Sequence, residues 1–193
     1  MTESSWERKL NIRTAGTTTH VADGENYPYE PTPYSVLERL AQSGYLTRKN
    51  TLVDYGCGKG RVSFALSYLT GCRVVGIDYN EKLIKIAEAN QERSNLKKIE
   101  FINKKAEDYE LTDEDSFFFF NPFSEIVLKQ VIGQIIWSWY ENPRKIRLFF
   151  YYPSDEQVAI LTTTSELLFA DEIDCSDLFE GNNRRERILI FET

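Results

Sequence analysis

The chain has 193 residues, 41% hydrophobic and 27% charged, which is the size and composition of one ordinary globular domain and excludes wholesale disorder. Acidic residues outnumber basic ones by 30 to 23, a net charge of −7, so no general basic face for gripping a nucleic-acid backbone is expected. One histidine, His20, and three cysteines, Cys57, Cys72 and Cys175, without CxxC spacing are too few ligands for a zinc site, a Ser-His-Asp triad or a disulfide framework.

The N-terminus is polar, without the apolar core of a signal peptide, and no apolar run approaches the roughly 20 residues of a membrane span. A cytoplasmic protein with no bound metal is expected. Residues 1–33 read as an irregular arm containing Gly16, Gly24, Pro28, Pro31 and Pro33. From Ser35 to Ser43, Leu37, Leu40 and Ala41 fall at helical spacing, with Ser35 as cap. Residues 51–55 form a short strand that ends in a glycine-rich turn, and 61–69 return to helical spacing. A strand over 73–78, an amphipathic helix over 81–92 and a strand over 99–102 follow. The near-continuous apolar run 116–120 suits a parallel strand buried on both faces. A helix over 125–139, a strand over 145–152 and a weaker helix over 155–164 come next. The strands 167–173 and 187–191 have no good helix between them and read as an antiparallel hairpin at one sheet edge. Strand and helix alternate about five times, which predicts an α/β, Rossmann-like doubly wound sheet of about seven strands. Most of those strands run parallel, the last is antiparallel, and helices cover both faces.

The chemistry concentrates at Asp54-Tyr55-Gly56-Cys57-Gly58-Lys59-Gly60-Arg61, where a strand becomes a helix. Alternate glycines let a ligand approach the backbone, and the helix start offers free N–H groups. Asp78 ends the next strand, where a carboxylate can accept both hydroxyls of a ribose. The spacing is G-x-G-x-G and not the G-x-G-x-x-G of dinucleotide folds. Asp54 would repel a pyrophosphate and suit an ammonium or a sulfonium, provided Lys59 and Arg61 point to solvent. Cys57 reads as a small filler, with nothing beside it in sequence to activate it. His20 reads as an arm residue, and the basic stretch 182–187 as a solvated turn.

These pieces resemble the class I S-adenosylmethionine-dependent methyltransferases. Val53 to Gly60 is similar to their first motif and Val75-Gly76-Ile77-Asp78 to the second. Asn103 to Asp108 is similar to the third and Phe119-Phe120-Asn121-Pro122-Phe123 to the fourth. The resemblance implies S-adenosyl-L-methionine as cofactor, held by Asp54, Gly56, Cys57, Gly58, Gly60, Asp78, Tyr79, Ala106, Glu107 and Asn121. Asp78 would take the ribose, and Ala106 and Glu107 would flank the adenine. It divides the chain into an arm, 1–34, and a methyltransferase domain, 35–193, with the arm lying over the donor site as a lid. The arm offers Tyr27, Tyr29 and Tyr34, of which Tyr29 and Tyr34 are the candidates to touch donor or acceptor, or to pack as loop aromatics.

Asn121, Pro122 and Phe123 are the candidate catalytic residues. An Asn carbonyl and a rigid backbone carbonyl can each accept one N–H and leave a nitrogen lone pair aimed forward, while Phe123 stacks on a flat acceptor. The motif is similar to the Asn-Pro-Pro-aromatic signature of N-methylating enzymes but lacks its second proline. Asn121 also reads as a cap for the helix after Ser124. The expected acceptor is a nitrogen of a small molecule or a protein side chain, with nucleic acid and membrane disfavoured. A nicotinamide-nucleotide oxidoreductase and a non-catalytic S-adenosylmethionine-binding module are the alternatives.

Overall fold

Five consecutive residues, Thr51–Tyr55, make the central strand β1, and four of them are buried. The computed structural model describes residues 2–16, 29–121, 123–181 and 183–193. Around β1 lie β2 (Arg73–Asp78), β3 (Ile99–Asn103), β4 (Ser116–Phe119), β5 (Arg147–Tyr151), β6 (Leu168–Asp174) and β7 (Arg187–Glu192), in the order β3-β2-β1-β4-β5-β7-β6. Pairing is parallel from β3 to β5 and antiparallel at β5–β7 and β7–β6. The two late strands form the expected edge hairpin, with β7 inserted between β5 and β6.

Alternation along the strands sends side chains to two cores. Leu52, Phe118, Phe149 and Tyr151 pack with one group of helices, and Val53, Phe117, Phe119, Leu148 and Phe150 with the other. Both faces are covered, which is why β4 reads as unbroken phenylalanine. The first group comprises α2 (Tyr34–Gln42), α3 (Arg61–Thr70) and a helix the sequence reading did not anticipate, α1 (Glu3–Leu10). The second comprises α5 (Glu125–Glu141) and α6 (Asp155–Thr163), while α4 (Glu81–Ser94) packs beside β2 and β3.

The first part of the arm is therefore not irregular. Thr2 caps α1 by accepting from the Ser5 amide, and Asn11 ends it in the left-handed conformation. Trp6 and Leu10 are buried, and Trp6 stacks on Tyr34 at 5.5 Å. Two apolar side chains on an otherwise charged octapeptide are a weak periodic signal, and burial against α2 and α3 fixes the helix. Tyr34, one of the aromatics expected over the donor, is a core residue instead. Pro33 stands at the N-cap of α2, so Ser35 lies inside the helix. Tyr27 and His20 fall outside the described residues, as do Pro122 and Asn182.

Candidate active site

Successive crossovers run from β1 towards β3 on one side, while β4 lies on the other, so the strand order reverses between β1 and β4. Ligands of open α/β sheets bind at the carboxyl ends of the strands beside such a reversal. All four sequence motifs lie at that edge. The glycine loop follows β1, Asp78 ends β2, Ala106–Asp108 is a 3₁₀ turn just beyond β3, and Asn121 follows β4. Adjacent strands thus bring together residues that lie far apart in the chain.

The loop is anchored from behind. The Gly56 and Cys57 amides both donate to the Ile77 carbonyl, at 2.9 and 3.0 Å. The Gly58 amide donates to Asp78 Oδ2 at 2.9 Å, and the Asn80 amide to Asp78 Oδ1 at 2.8 Å. Two of the glycines serve different ends. At Gly58 (φ +54) an added Cβ would lie 2.2 Å from the Tyr29 ring. At Gly60 (φ +87) it would meet Phe101 and Phe64 at 2.7 and 2.8 Å, so this glycine is needed for packing on β3 and not for approach of a ligand. Cys57 is buried, and burial pushes its thiol well above the ordinary range, which leaves it the inert filler expected.

Two carboxylates are sunk in this edge. Asp54 is 2% exposed and accepts from Ser63 Oγ at 2.6 Å and from the Ser63 amide at 3.2 Å. Burial pushes its pKa up to about 7, against the opposing pull of those hydrogen bonds. Asp78, also buried, is raised by the same cause and held back by the Asn80 and Gly58 amides. Each Asp78 oxygen takes one amide and keeps further acceptor capacity for a diol. A buried carboxylate with a raised pKa beside the loop favours a positively charged ligand. These residues fit an adenosyl sulfonium donor.

Arg61 and Lys59 do not point freely to solvent, as the charge argument had required. Arg61 is 4% exposed. Its guanidinium donates to Thr14 Oγ1 at 2.8 Å, to Glu3, and to Glu7 at 3.3 Å, and lies 4.5 Å over the Tyr34 ring. Its charge is thus matched by two carboxylates of α1, although the residue also lines the narrow cleft beside Asp54. Lys59 Nζ donates to the Ala15 and Gly16 carbonyls at 2.8 and 3.1 Å. Arg61 is thus offset by a helix the sequence did not reveal, whereas Lys59 meets carbonyl oxygens.

Tyr29 covers Gly58, donates its hydroxyl to the Thr14 carbonyl at 2.7 Å and carries the Lys59 ammonium 4.8 Å over its ring. A narrow cleft of about 30 Å³ beneath it reaches Asp54, Gly56 and Cys57. A wider cleft of about 560 Å³ opens beside Asn121. Tyr29, Glu30 and Phe120 line both. Asn121 adopts the left-handed region at φ 41, which asparagine tolerates better than most residues. It does not cap the following helix, because Ser124 holds that position. Phe123 is 5% exposed and packs edge-on against Tyr55 and Phe119, at 6.2 and 6.3 Å, so its ring forms the back wall of the wider cleft. Tyr79 is partly exposed just after β2. The Glu107 carbonyl receives the Gln134 amide, and its carboxylate is 3.9 Å from Lys105 Nζ.

The wider cleft also gathers Glu30, Glu125 and Glu156, which did not stand out in the sequence, and Arg185, which belongs to the basic stretch read as a solvated turn and lines this cleft instead. Arg185 is pinned by the Pro153 and Tyr152 carbonyls and stacks 4.2 Å over Tyr152. One signal was legible. Ser154 to Gln157 is a reciprocal capping box, which places the start of α6, and with it Glu156, at the carboxyl edge.

A methyltransferase-domain family model matches residues 46–161. Over 70 residues, 36% of the chain, it is 31% identical to a protein-lysine N-methyltransferase of Saccharolobus islandicus, of which the match covers 44%. Over 52 residues, 27% of the chain, it is 36% identical to the ribosomal protein L11 methyltransferase of Thermotoga maritima, covering 20% of that protein. The chain thus matches less than half the length of either relative. An RNA methyltransferase from Salinibacter ruber, solved with S-adenosyl-L-homocysteine, shares the fold with a TM-score of 0.58 at 17% identity, over 84% of this chain and 92% of that one. The family match sets aside the nicotinamide alternative. With its motifs gathered at one sheet edge and the family match spanning most of that sheet, the chain belongs to the methyltransferase domain family, among the class I S-adenosylmethionine-dependent methyltransferases.

Proposed function

We propose that the protein methylates an amine nitrogen, on a small molecule or a protein side chain, that enters through the cleft beside Asn121. The observation that carries this reading is the lining of that cleft, where Glu30, Glu125 and Glu156 outnumber one cation, Arg185, whose guanidinium is engaged by the Pro153 and Tyr152 carbonyls. Carboxylates attract an ammonium and repel a phosphate, so they favour an amine over a nucleic-acid backbone. The names of the two curated relatives, which act on protein, point the same way.

S-adenosylmethionine supplies a methyl carbon activated by a positively charged sulfur. Asp78 and the loop through Gly58 hold its adenosyl part, Ala106 and Glu107 border the base, and Asp54 opposes the positive charge. Asn121 accepts an N–H of the acceptor and orients its lone pair. Glu30 lines both clefts and is the carboxylate placed to accept the proton that an ammonium must lose before it attacks. Tyr29 closes the donor cleft over Gly58, so the arm serves as its lid. Alignment supplies most of the catalysis, since the leaving thioether is neutral and stable.

The test is a methyl-transfer assay with labelled donor against a panel of amines and lysine peptides, paired with thermal shifts in S-adenosylmethionine, S-adenosylhomocysteine and NAD. The adenosyl ligands shift the melting temperature and NAD does not. Asn121→Ala loses at least 100-fold in turnover and keeps donor affinity, whereas Asp78→Ala loses donor affinity. Equal turnover by Asn121→Ala would sink the assignment of the acceptor site.

A further inference from the structure

Three of the four parallel connections carry a helix: α3 joins β1 to β2, α4 joins β2 to β3, and α5 joins β4 to β5. The connection from β3 to β4 carries only the 3₁₀ turn Ala106–Asp108 and a loop. Among the described residues the flank of α5 that faces this loop meets the 3₁₀ turn and no α-helix, and a groove of about 1030 Å³ runs along it. Its floor is Gly133, where an added Cβ would meet nothing within 4 Å, together with Gln134 and Trp137. Trp137 is 67% exposed. Gln134 donates to the Glu107 carbonyl, and its own Oε1 is buried without a hydrogen-bond partner. The rim is formed by Glu107, Asp108, Glu110 and Glu141, and among the described residues no lysine or arginine lines the groove. Lys105, 3.9 Å from Glu107, stands outside it.

We propose that this groove docks a lysine- or arginine-bearing peptide segment of another protein. An exposed indole offers its face to a cation, and four carboxylates around it supply the complementary charge. A second copy of the chain fits less well, because at a net charge of −7 it would bring like charge onto an acidic face. The site is separate from the acceptor cleft, with which it shares no lining residue.

The test uses the full-length chain without donor, so that its outcome is independent of methyl transfer. N-acetylated tetra-arginine and tetra-glutamate peptides are titrated by isothermal titration calorimetry, a readout that does not depend on Trp137. Tetra-arginine is expected to bind and tetra-glutamate not to bind. Trp137→Ala and the double variant Glu110→Gln/Glu141→Gln each weaken binding at least five-fold, and raising salt from about 50 to 300 mM weakens it further. The melting temperature of each variant stays within about 2 °C of the parent, since the replaced groups lie on the surface. The proposal is overturned if tetra-arginine does not bind, or if Trp137→Ala binds it as well as the parent. It is also overturned if affinity responds to Glu156→Gln and not to the groove variants, which would place the peptide in the acceptor cleft. Concentration-dependent dimerisation abolished by Trp137→Ala would assign the face to a second copy instead.

Discussion

Asp54 is the side chain whose burial has the clearest consequence. Its folded pKa, about 7, lies above the ordinary 3.8, so between those values the folded chain holds a proton that the unfolded chain has lost. Folding stability from this group therefore falls as pH rises from about 4 to about 7. Asp54→Asn removes that contribution, and denaturant unfolding at pH 5 and pH 8 should show a smaller loss for the variant than for the parent. A cationic donor favours the ionised form, so donor affinity in the parent rises through pH 7, and the variant lacks that rise. Gly58 gives a second test. Gly58→Ala places a methyl group against the Tyr29 ring in a left-handed backbone, at a cost of about 1–3 kcal/mol. Adding Tyr29→Ala removes the collision but not the backbone strain. The double variant should thus recover part of the increment due to Gly58→Ala in a double-mutant cycle. Additive losses would mean that the ring does not rest on the loop.

The element whose placement depends most on one residue is α1. Arg61 stands at the first turn of α3 and collects Glu3 and Glu7 from α1 and Thr14 just beyond it. Glu3 is 54% exposed and Glu7 18%. Replacing Glu3 by Gln should cost under about 1 kcal/mol, as for other solvent-screened pairs. Arg61→Leu leaves Glu7 without its cation and should cost about 3 kcal/mol. Amide exchange would then quicken over residues 3–10 ahead of the rest of the chain. Asn90 ties the same stretch to α4, accepting from the Arg13 amide at 2.9 Å and donating to the Arg13 and Lys59 carbonyls at 3.1 and 3.0 Å. The N-terminal segment is thus fastened to the two helices that flank the glycine loop. A deletion of residues 1–30 would expose the core under Trp6 and could not isolate a lid effect, whereas a change at Tyr29 can.

Over the whole molecule, what the sequence disclosed was local in the chain. The glycine turn, Asp78 and the phenylalanine run of β4 each declare themselves within a few residues, and a doubly wound sheet delivers such strand ends to one edge. What remained hidden was assembled across long separations. Arg61 finds its carboxylate partners, Glu3 and Glu7, 58 and 54 residues upstream, in a helix with two buried apolar side chains. The acceptor cleft draws Glu30, Glu125, Glu156 and Arg185 from four separate segments, and each alone is an unremarkable surface charge. The groove beside α5 arises from a helix that the β3–β4 connection lacks, and such an absence carries no residue pattern.

The place of β7 between β5 and β6 also bears on how the protein is made. Every other strand is synthesised before β7, yet β6 has no other neighbour in the sheet. While the ribosome still holds Arg187–Glu192, the chain has all its parallel strands but an open flank on β5 and an unpaired β6 bearing Leu168 and Phe169. Nascent chains arrested before Arg187 should therefore be cut by protease throughout 147–174, and emergence of β7 should close that window in a single step. The sheet is completed from its interior by β7, so the vulnerable interval is the one in which β6 has been made and β7 has not.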